Sequence, residues 1–464
     1  MNNNVSGIFS DRLEALIAAT LRDGVLTDKE RELLKRRAEK EGEDWDEVEM
    51  IIEARLAEKQ TEKEIVSAAT PQMDAIELKD ANELNNEGLR HYNSQNYEEA
   101  VKRCFKAADV HEKTNIFEGK HYKKEKNIVI PEGVTVIAAN TCMFFLELEN
   151  LTLPSTLVTI ERCAFCNCSN LKTVDFTRCK NLKEIGERAF WYCEKLEEVD
   201  FSISTQLKRI GDKTFSSCEK LQNIVLPDSV TFIGQEAFVQ CESLRLVVLP
   251  ASLEKLEDNV FANCKKLEEV DFSISTRLKR IGDKTFDHCR KLLNIVLPDS
   301  VTYIGQEAFA WCQALRLVVL PASLEKLEDN VFRFCKLDNL DMSKVTHLST
   351  IPKGFGCTKT MMIPQGVTTI AESGFYYGSS GRQEKLFLPS TLESYGKGNG
   401  GWNAIYLYAP QFEDLETLLE CNDILYVLPQ YLNVYKELWE ALGKPNKNAE
   451  ILPMPDEYLY YYDN

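Results

Sequence analysis

The sequence predicts an α+β fold, in which a solenoid of short strands and single helical turns follows a small all-α region. The main observation is a 71-residue passage that is written twice in succession, over 194–264 and 265–335, with 13 differing positions. Each copy divides into units of 25, 23 and 23 residues that end on a cysteine. A period in this range is typical of solenoids, because each unit buries its apolar side only against its neighbours.

The composition indicates a globular chain with an acidic balance. Of the 464 residues 44% are hydrophobic, which excludes global disorder, and the net charge is −18. An acidic chain without a basic stripe is poorly suited to nucleic-acid phosphates or an anionic membrane surface. No apolar run approaches the length that spans a bilayer. We therefore expect a protein or peptide partner, with no nucleic acid and no membrane span.

The cysteines and the first residues predict a cytoplasmic location. No basic segment followed by an uninterrupted apolar core opens the chain, so we expect no signal peptide. Nine of the 15 cysteines recur at one position of the repeat. A recurring position indicates packing, because a free, reduced cysteine behaves as a small buried hydrophobe. These ladder cysteines are Cys168, Cys193, Cys218, Cys241, Cys264, Cys289, Cys312, Cys335 and Cys357.

Three segments precede the repeats. An acidic module of three helices is predicted over 1–59, where Thr27 and Glu30 form a capping box at the second helix. A linker is predicted over 60–80. The stretch 81–126 resembles one tetratricopeptide unit, and because a single repeat is rarely stable alone, we expect it to cap the first solenoid unit. The positions that carry this resemblance are Leu84, Gly88, Tyr97, Ala100 and Ala107.

One template describes the chain from 127 to 401: Leu-x-x-[Val/Ile]-x-Leu-Pro-x-Ser-[Val/Leu]-x-x-Ile-Gly-x-x-Ala-Phe-x-x-Cys. Its alternating first part predicts a short strand with Leu and Val inward. Val-x-x-Ile adds a second inward pair, Gly turns the chain, and Ala-Phe-x-x-Cys is predicted to form one helical or 3₁₀ turn. Stacking the units predicts a buried phenylalanine column of Phe165, Phe190, Phe215, Phe238, Phe261, Phe286, Phe309 and Phe332.

This template, with its Leu-Pro, Ile-Gly and Ala-Phe-x-x-Cys marks, resembles the BspA-type leucine-rich repeat. The resemblance implies a leucine-rich-repeat solenoid with a role in recognition or adhesion. Residues 402–464 are similar to the strand, proline and helix segment that closes such proteins, followed by an acidic aromatic tail. We expect a non-enzymatic interaction scaffold. The alternative is a surface or secreted adhesin without a recognisable export signal.

Two motifs could carry chemistry, and both have a plainer interpretation. Cys163, Cys166 and Cys168, with Cys179 further on, have a spacing that could suit zinc. Aligning the units places Cys168 in the cysteine ladder and the others at positions that hold no metal ligand in neighbouring units, which favours packing. The glycine-rich stretch 394–402 lacks the Lys-Ser/Thr of a phosphate loop and predicts a flexible loop. We predict no enzyme, metal or cofactor.

The internal copy identifies a first candidate binding surface. Ten of the 13 differences flank the ladder cysteines, in what we call the turn edge: the two residues before each ladder cysteine and the two after it. Exposed aromatic residues are favoured at binding sites. Neutral variation at solvated turns is the alternative. The candidate residues of the turn edge are Trp191, Tyr192, Trp311 and Phe334.

A second candidate surface is the strand face, the outward side of the strands at the start of each unit. Carboxylates beside outward Leu and Val suit a partner with basic and apolar groups. Ordinary β-propensity would also place valine there. The candidate residues of the strand face are Glu197, Glu198, Asp200, Leu246, Val248, Glu268, Glu269, Asp271, Leu317 and Val319.

Overall fold

The computed structural model describes the repeats and the C-terminal region almost continuously. The described residues are 17, 31, 34–38, 42, 45, 48, 49, 52, 116, 117, 119 and 122–461, without 357, 376–382, 421, 423, 445 and 447. Within 1–59 the described residues are helical, apart from a turn at Gly42. The predicted linker and the tetratricopeptide-like positions lie outside the described residues, so both stay predictions.

The chain divides into two compact units, Met1–Pro250 and Ala251–Asn464, and the described strands of each form a parallel β-solenoid. Their short strands make about 14 turns in all, with few helices. The described repeats therefore form the predicted solenoid, but as a parallel β-solenoid with few helices rather than an α+β mixture, because the segment around each Phe is not a regular helix.

The first unit contains two parallel sheets. The strands of one, each three residues long, are β2 (Asn127–Val129), β4 (Asn150–Thr152), β6 (Thr173–Asp175), β8 (Glu198–Asp200), β10 (Asn223–Val225) and β12 (Leu246–Val248). The strands of the other, each two residues long, are β1 (Ile116–Phe117), β3 (Val136–Ile137), β5 (Thr159–Ile160), β7 (Glu184–Ile185), β9 (Arg209–Ile210) and β11 (Phe232–Ile233). Because β1 pairs with β3 in parallel, the solenoid includes strand residues upstream of the predicted start at 127.

The second unit contains the same two kinds of strand. Its two-residue strands are β13 (Lys255–Leu256), β15 (Arg280–Ile281), β17 (Tyr303–Ile304), β19 (Lys326–Leu327), β21 (Thr350–Ile351), β23 (Thr369–Ile370) and β25 (Ser394–Tyr395). Its three-residue strands are β14 (Glu269–Asp271), β16 (Asn294–Val296), β18 (Leu317–Val319), β20 (Asn339–Asp341) and β22 (Thr360–Met362). The last sheet, in the order β22-β24-β26-β27-β28, also contains β24 (Gln383–Leu388), β26 (Trp402–Leu407), β27 (Ile424–Val427) and β28 (Glu450–Pro453).

The core follows the predicted alternation. The middle residue of each three-residue strand is buried, as with Val199 in β8 and Ile295 in β16. The phenylalanine column is confirmed within each unit: Phe190 and Phe215 stack with ring centroids 5.4 Å apart, and Phe286 and Phe309 with centroids 5.3 Å apart. Burying each such ring contributes on the order of 1.5–3 kcal/mol.

The segment around each Phe forms turns that are closed by hydrogen bonds three residues apart, such as Cys166 N to Cys163 O at 3.1 Å, rather than an α-helical turn. Two residues per coil, four positions apart, have positive φ, such as Cys163 at 54° and Asn167 at 59°. In this conformation alternate N–H groups point to the next coil: Cys163 N donates to Glu187 O at 2.9 Å and Phe165 N to Ala189 O at 2.8 Å. The remaining N–H groups close turns within the coil. Bonding between coils therefore replaces bonding along a helix.

The C-terminal region contains two strand–helix segments, as the sequence predicts. β26 leads to helix α1 (Leu415–Leu419), and β27 leads through a 3₁₀ turn (Pro429–Tyr431) to helix α2 (Leu432–Ala441). Helix α2 buries Tyr435 and Trp439. One more strand, β28, follows and pairs with β27, and a second 3₁₀ turn (Asp456–Tyr458) begins the tail.

Candidate binding surfaces

The turn edge of the second copy holds an aromatic column. His288 and Trp311 stack with ring centroids 5.4 Å apart, and Trp311 and Phe334 follow with centroids 4.0 Å apart. All three occupy the second positive-φ position of their coils, with φ between 58° and 61°. Because the coils are in register, this position brings the three side chains together. Each is half-buried, so part of each ring faces solvent.

Charged groups flank the aromatic column. The Arg333 guanidinium lies 4.8 Å from the Phe334 ring centroid, and His288 Nδ1 lies 2.9 Å from an Asp287 carboxylate oxygen. Burial raises the pKa of the Asp287 carboxyl, against the opposing effect of His288. Arg333 also lines a cleft at the end of the column, together with Asp329, Asn330, Lys353, Gly354 and Ser373.

The corresponding positions of the first copy are polar. His288, Trp311 and Phe334 replace Ser217, Gln240 and Asn263, which have the same backbone conformation. In the first unit the Ser217 hydroxyl lies 2.9 Å from Gln240 Oε1. Of the differences that alter charge, five make the second copy more positive (Lys265, Arg277, Arg290, Gln313 and Arg333) and one, Asp287, makes it more negative.

The aromatic pair predicted in the first unit is placed differently. Trp191 packs against a buried cluster of Met143, Cys163 and Cys166, which ties it to the core. Its ring also contacts Tyr192, with centroids 4.8 Å apart. Trp191 therefore packs against the core, whereas His288, Trp311 and Phe334 stack on one another.

The strand face is only partly available. Glu197, Glu198 and Asp200 are exposed. Val248 is 7% exposed and presents little surface to a partner. The remaining predicted residues are half-buried, namely Leu246, Glu268, Glu269, Asp271, Leu317 and Val319.

Two apolar residues of the strand face were missed by the sequence analysis. Val296 is 58% exposed and pairs in register with Val319 on the next strand, and Leu293, before the same strand, is 41% exposed. The sequence pattern contains this information, because the alternation that points Ile295 inward points Val296 outward. Leu293 is also one of the 13 differences, replacing Gln222.

A larger set of outward side chains, also missed, lies on the last sheet. Phe387 and Tyr406 stack with ring centroids 4.5 Å apart, and Tyr406 and Tyr426 with centroids 4.9 Å apart. Parallel pairing puts the three in register, beside Met362. We call the outward residues Met362, Lys385, Phe387, Tyr406, Tyr408 and Tyr426 the tail site.

The cysteine cluster is packed as the repeat register predicts. Cys163, Cys166, Cys168 and Cys179 are fully buried free thiols. Burial raises the pKa of the Cys168 thiol to about 12. A hydrogen bond from Cys166, aided by nearby Arg162 and Arg188, lowers the pKa of Cys163. Across the part of the chain that the structure describes, no three His, Cys, Asp or Glu side chains are placed to hold a metal ion.

Three solved structures are similar to this chain. The chain is similar to a leucine-rich repeat protein from Bacteroides ovatus, with 22% identity over 73% of this chain and 86% of that one and a TM-score of 0.46. It is similar to a T. pallidum leucine-rich repeat protein, with 31% identity over 36% and 78% and a TM-score of 0.34. The pneumococcal vaccine antigen PcpA matches with 18% identity over 73% and 92% and a TM-score of 0.39.

The family itself is established by the repeat. No curated protein matches the chain. None of the helices in the described ranges has the length and apolar character needed to cross a membrane. The sequence matches the BspA type leucine rich repeat region, in six copies, over residues 113–244, 200–295 and 279–398. The chain therefore belongs to the BspA-type leucine-rich repeat family.

Proposed function

We propose that this chain is a non-enzymatic recognition scaffold that binds an acidic protein or peptide through the turn edge of the second copy. One observation carries the proposal. The same backbone positions hold small polar residues in one copy and the stacked, half-exposed column of His288, Trp311 and Phe334 in the other. Since both sets are compatible with the fold, packing does not require the aromatic set.

The chemistry of this edge supports a partner with carboxylate and apolar groups. Trp311 and Phe334 present ring surface, and tryptophan and arginine are enriched among the residues that dominate binding energy. Arg333 and Lys353 line the adjoining cleft, and Arg290 is exposed on the same edge. Positive groups around an apolar centre favour a partner of complementary charge.

The internal copy provides a conservative test. A first-copy variant carries His288→Ser, Trp311→Gln, Arg333→Ala and Phe334→Asn, each taken from the corresponding position. We expect a crosslinking pulldown from the native cell to recover at least tenfold less partner with this variant, because truncating a central aromatic residue costs on the order of 2 kcal/mol. The melting temperature should stay within a few degrees of that of the wild-type chain.

The matched control changes the turn edge of the first copy to second-copy residues, with Val239→Ala and Glu242→Gln. Partner recovery should not change in this control. Equal recovery with the first-copy variant and the wild-type chain would exclude the second-copy turn edge as the contact surface.

The strand face is the rival surface. Reversing the charges of Glu197, Glu198, Glu268 and Glu269 together should leave the recovered partners unchanged if the turn edge makes the contact. A loss of partners with this variant alone would transfer the proposal to the strand face.

We place the scaffold in the cytoplasm in this proposal. Buried free thiols such as those of Cys193, Cys218 and Cys289 support a reducing compartment, where thiols persist. The rival is a surface adhesin. Cell fractionation with detection of the native protein separates the two, since recovery in the surface fraction would contradict a cytoplasmic scaffold.

A further inference from the structure

The acidic aromatic tail lies on the tail site of the last sheet. The Tyr458 ring packs edge-on against Phe387 and Tyr406, with ring centroids 5.3 and 4.9 Å apart. The Tyr461 ring stacks on Phe387 at 4.4 Å. Residues of the tail thus cover outward side chains of the last sheet.

Polar contacts fix the position of the tail. Lys385 Nζ donates to the Tyr458 hydroxyl at 2.6 Å and lies 4.9 Å from the centroid of the same ring. The Tyr408 hydroxyl donates to the Tyr458 carbonyl oxygen. The tail carboxylate of Glu457 also interacts electrostatically with Lys385. The site therefore contacts a phenol and a backbone carbonyl directly, and the positive charge of Lys385 favours an acidic group beside them.

The tail remains largely accessible while it is bound. Tyr460 is 68% exposed and Tyr461 is 37% exposed, and Tyr458 and Leu459 are half-buried. The ring contacts and side-chain hydrogen bonds described above come from Tyr458 and Tyr461, and ordering an extended segment costs conformational entropy at every residue. Segments with few buried apolar contacts open locally well below the free energy of global unfolding.

We propose that the tail site is a peptide-binding site for acidic, tyrosine-containing segments of a partner protein, and that residues 456–461 of this chain occupy it until such a segment displaces them. The tail defines the ligand class, because its phenol, carbonyl and carboxylate groups match the groups that the site presents. The site is independent of the turn edge, so either proposal can fail alone.

The test uses the full-length chain and a labelled peptide of residues 455–464, Pro-Asp-Glu-Tyr-Leu-Tyr-Tyr-Tyr-Asp-Asn. The host is a double variant, Tyr458→Ala with Tyr461→Ala, in which the chain's own tail is released. Fluorescence anisotropy should show that the peptide binds this variant at least tenfold more tightly than it binds the wild-type chain, where the tail competes for the site.

Two changes should weaken that binding at least fivefold. One is Lys385→Met in the double variant, and the other is replacement of the Tyr458 position by alanine in the peptide. Asn294→Ala, an exposed strand-face change outside the tail site, should leave the affinity within twofold. Absence of peptide binding to a double variant that melts like the wild-type chain would overturn the proposal. Equal affinity for the wild-type chain and the variant would also overturn it.

If the double variant does not fold, hydrogen exchange of the wild-type chain tests whether residues 456–461 can leave the tail site. Amides of 456–461 should exchange at least 100-fold faster than those of β26, as a displaceable segment requires. Protection equal to that of β26 would make the tail a fixed part of the fold. A doubling of the wild-type mass at high concentration, seen by light scattering, would assign the site to second copies of the chain and contradict a partner protein.

Discussion

The ladder thiols combine packing with hydrogen bonding. Cys218 and Cys241 are fully buried, and each Sγ donates to a phenylalanine carbonyl oxygen of a preceding coil, at 3.3 and 3.2 Å. The sequence predicts the buried column of ladder cysteines, because a cysteine that recurs at one position of the repeat indicates burial. It does not predict that each thiol donates a hydrogen bond, because the accepting carbonyl oxygen belongs to another coil. A small apolar residue would fill the space but leave that carbonyl with one bond fewer.

Replacing a fully buried ladder cysteine should therefore lower the free energy of unfolding by more than the lost side-chain volume alone would. We expect Cys241→Ala to lower the free energy of unfolding by about 1–2 kcal/mol, through a small cavity and a lost hydrogen bond. Cys335→Ala is the matched control, because this half-buried thiol makes the same kind of bond at a position that water can reach. Urea unfolding measures both, and a larger loss at Cys335 would contradict the explanation.

Asp287 should make stability depend on pH. Burial raises its pKa in the folded chain, so stability is lost as the pH rises from the pKa of the unfolded chain through the higher pKa of the folded one. Protonation removes this cost as the pH falls. We expect Asp287→Ser, which restores the first-copy residue Ser216, to raise the free energy of unfolding by up to about 1 kcal/mol near pH 7, since the group is only partly buried.

Urea unfolding at about pH 7 and about pH 4 measures this difference, which should shrink toward the lower pH, where the carboxyl becomes protonated. A serine variant that is less stable than the wild-type chain near neutral pH would show that the contact with His288 outweighs burial.

At the scale of the elements, the glycine after the two-residue strands sets the spacing of the coils. A Cβ on Gly305 would lie 2.7 Å from the Asp283 nitrogen and 2.7 Å from the Gly282 carbonyl carbon, which is closer than such atoms approach. In the third unit of each copy this position holds glutamate instead, Glu328 in the second copy.

This difference provides a matched pair of variants. Gly305→Ala should destabilise the chain by about 1–3 kcal/mol, because backbone atoms of the preceding coil must move. Glu328→Ala should change stability by less than about 1 kcal/mol, since a Cβ already fits there and the carboxylate makes contacts near the surface. Thermal unfolding compares the two, and equal losses would show that coil spacing is not the cause.

The sequence predicts the strands better than the turns. Short strands follow from alternation, and their middle residues are buried as expected. The turns differ from the helical prediction because bulky residues such as Trp311 and Phe334 have positive φ, which side chains of this size rarely adopt. The glycine-rich stretch also differs from the predicted loop: Asn399 is buried and accepts a bond from Phe375 N at 3.0 Å.

In the molecule as a whole, the internal duplication shows which residue positions the fold requires and which positions it allows to vary. Inward strand positions are identical in the two copies, whereas the turn edge becomes more aromatic and more basic in the second copy. That comparison is available from the sequence, and it identifies Trp311 and Phe334 as candidates. It could not identify the stacked column with His288, which requires the register of the coils, or the contact of Tyr458 with Lys385, 73 residues apart.

Hydroxyl-radical footprinting of the crosslinked complex from the native cell tests most directly whether the partner binds the turn edge of the second copy. We expect Trp311 and Phe334 to be oxidised at least fivefold more slowly in the complex than in the free chain, because the partner covers their rings. Trp191 and Tyr192 should react at the same rate in both samples. Unchanged oxidation of Trp311 and Phe334, with protection at Leu293 and Val296 instead, would contradict the account and place the partner on the strand face.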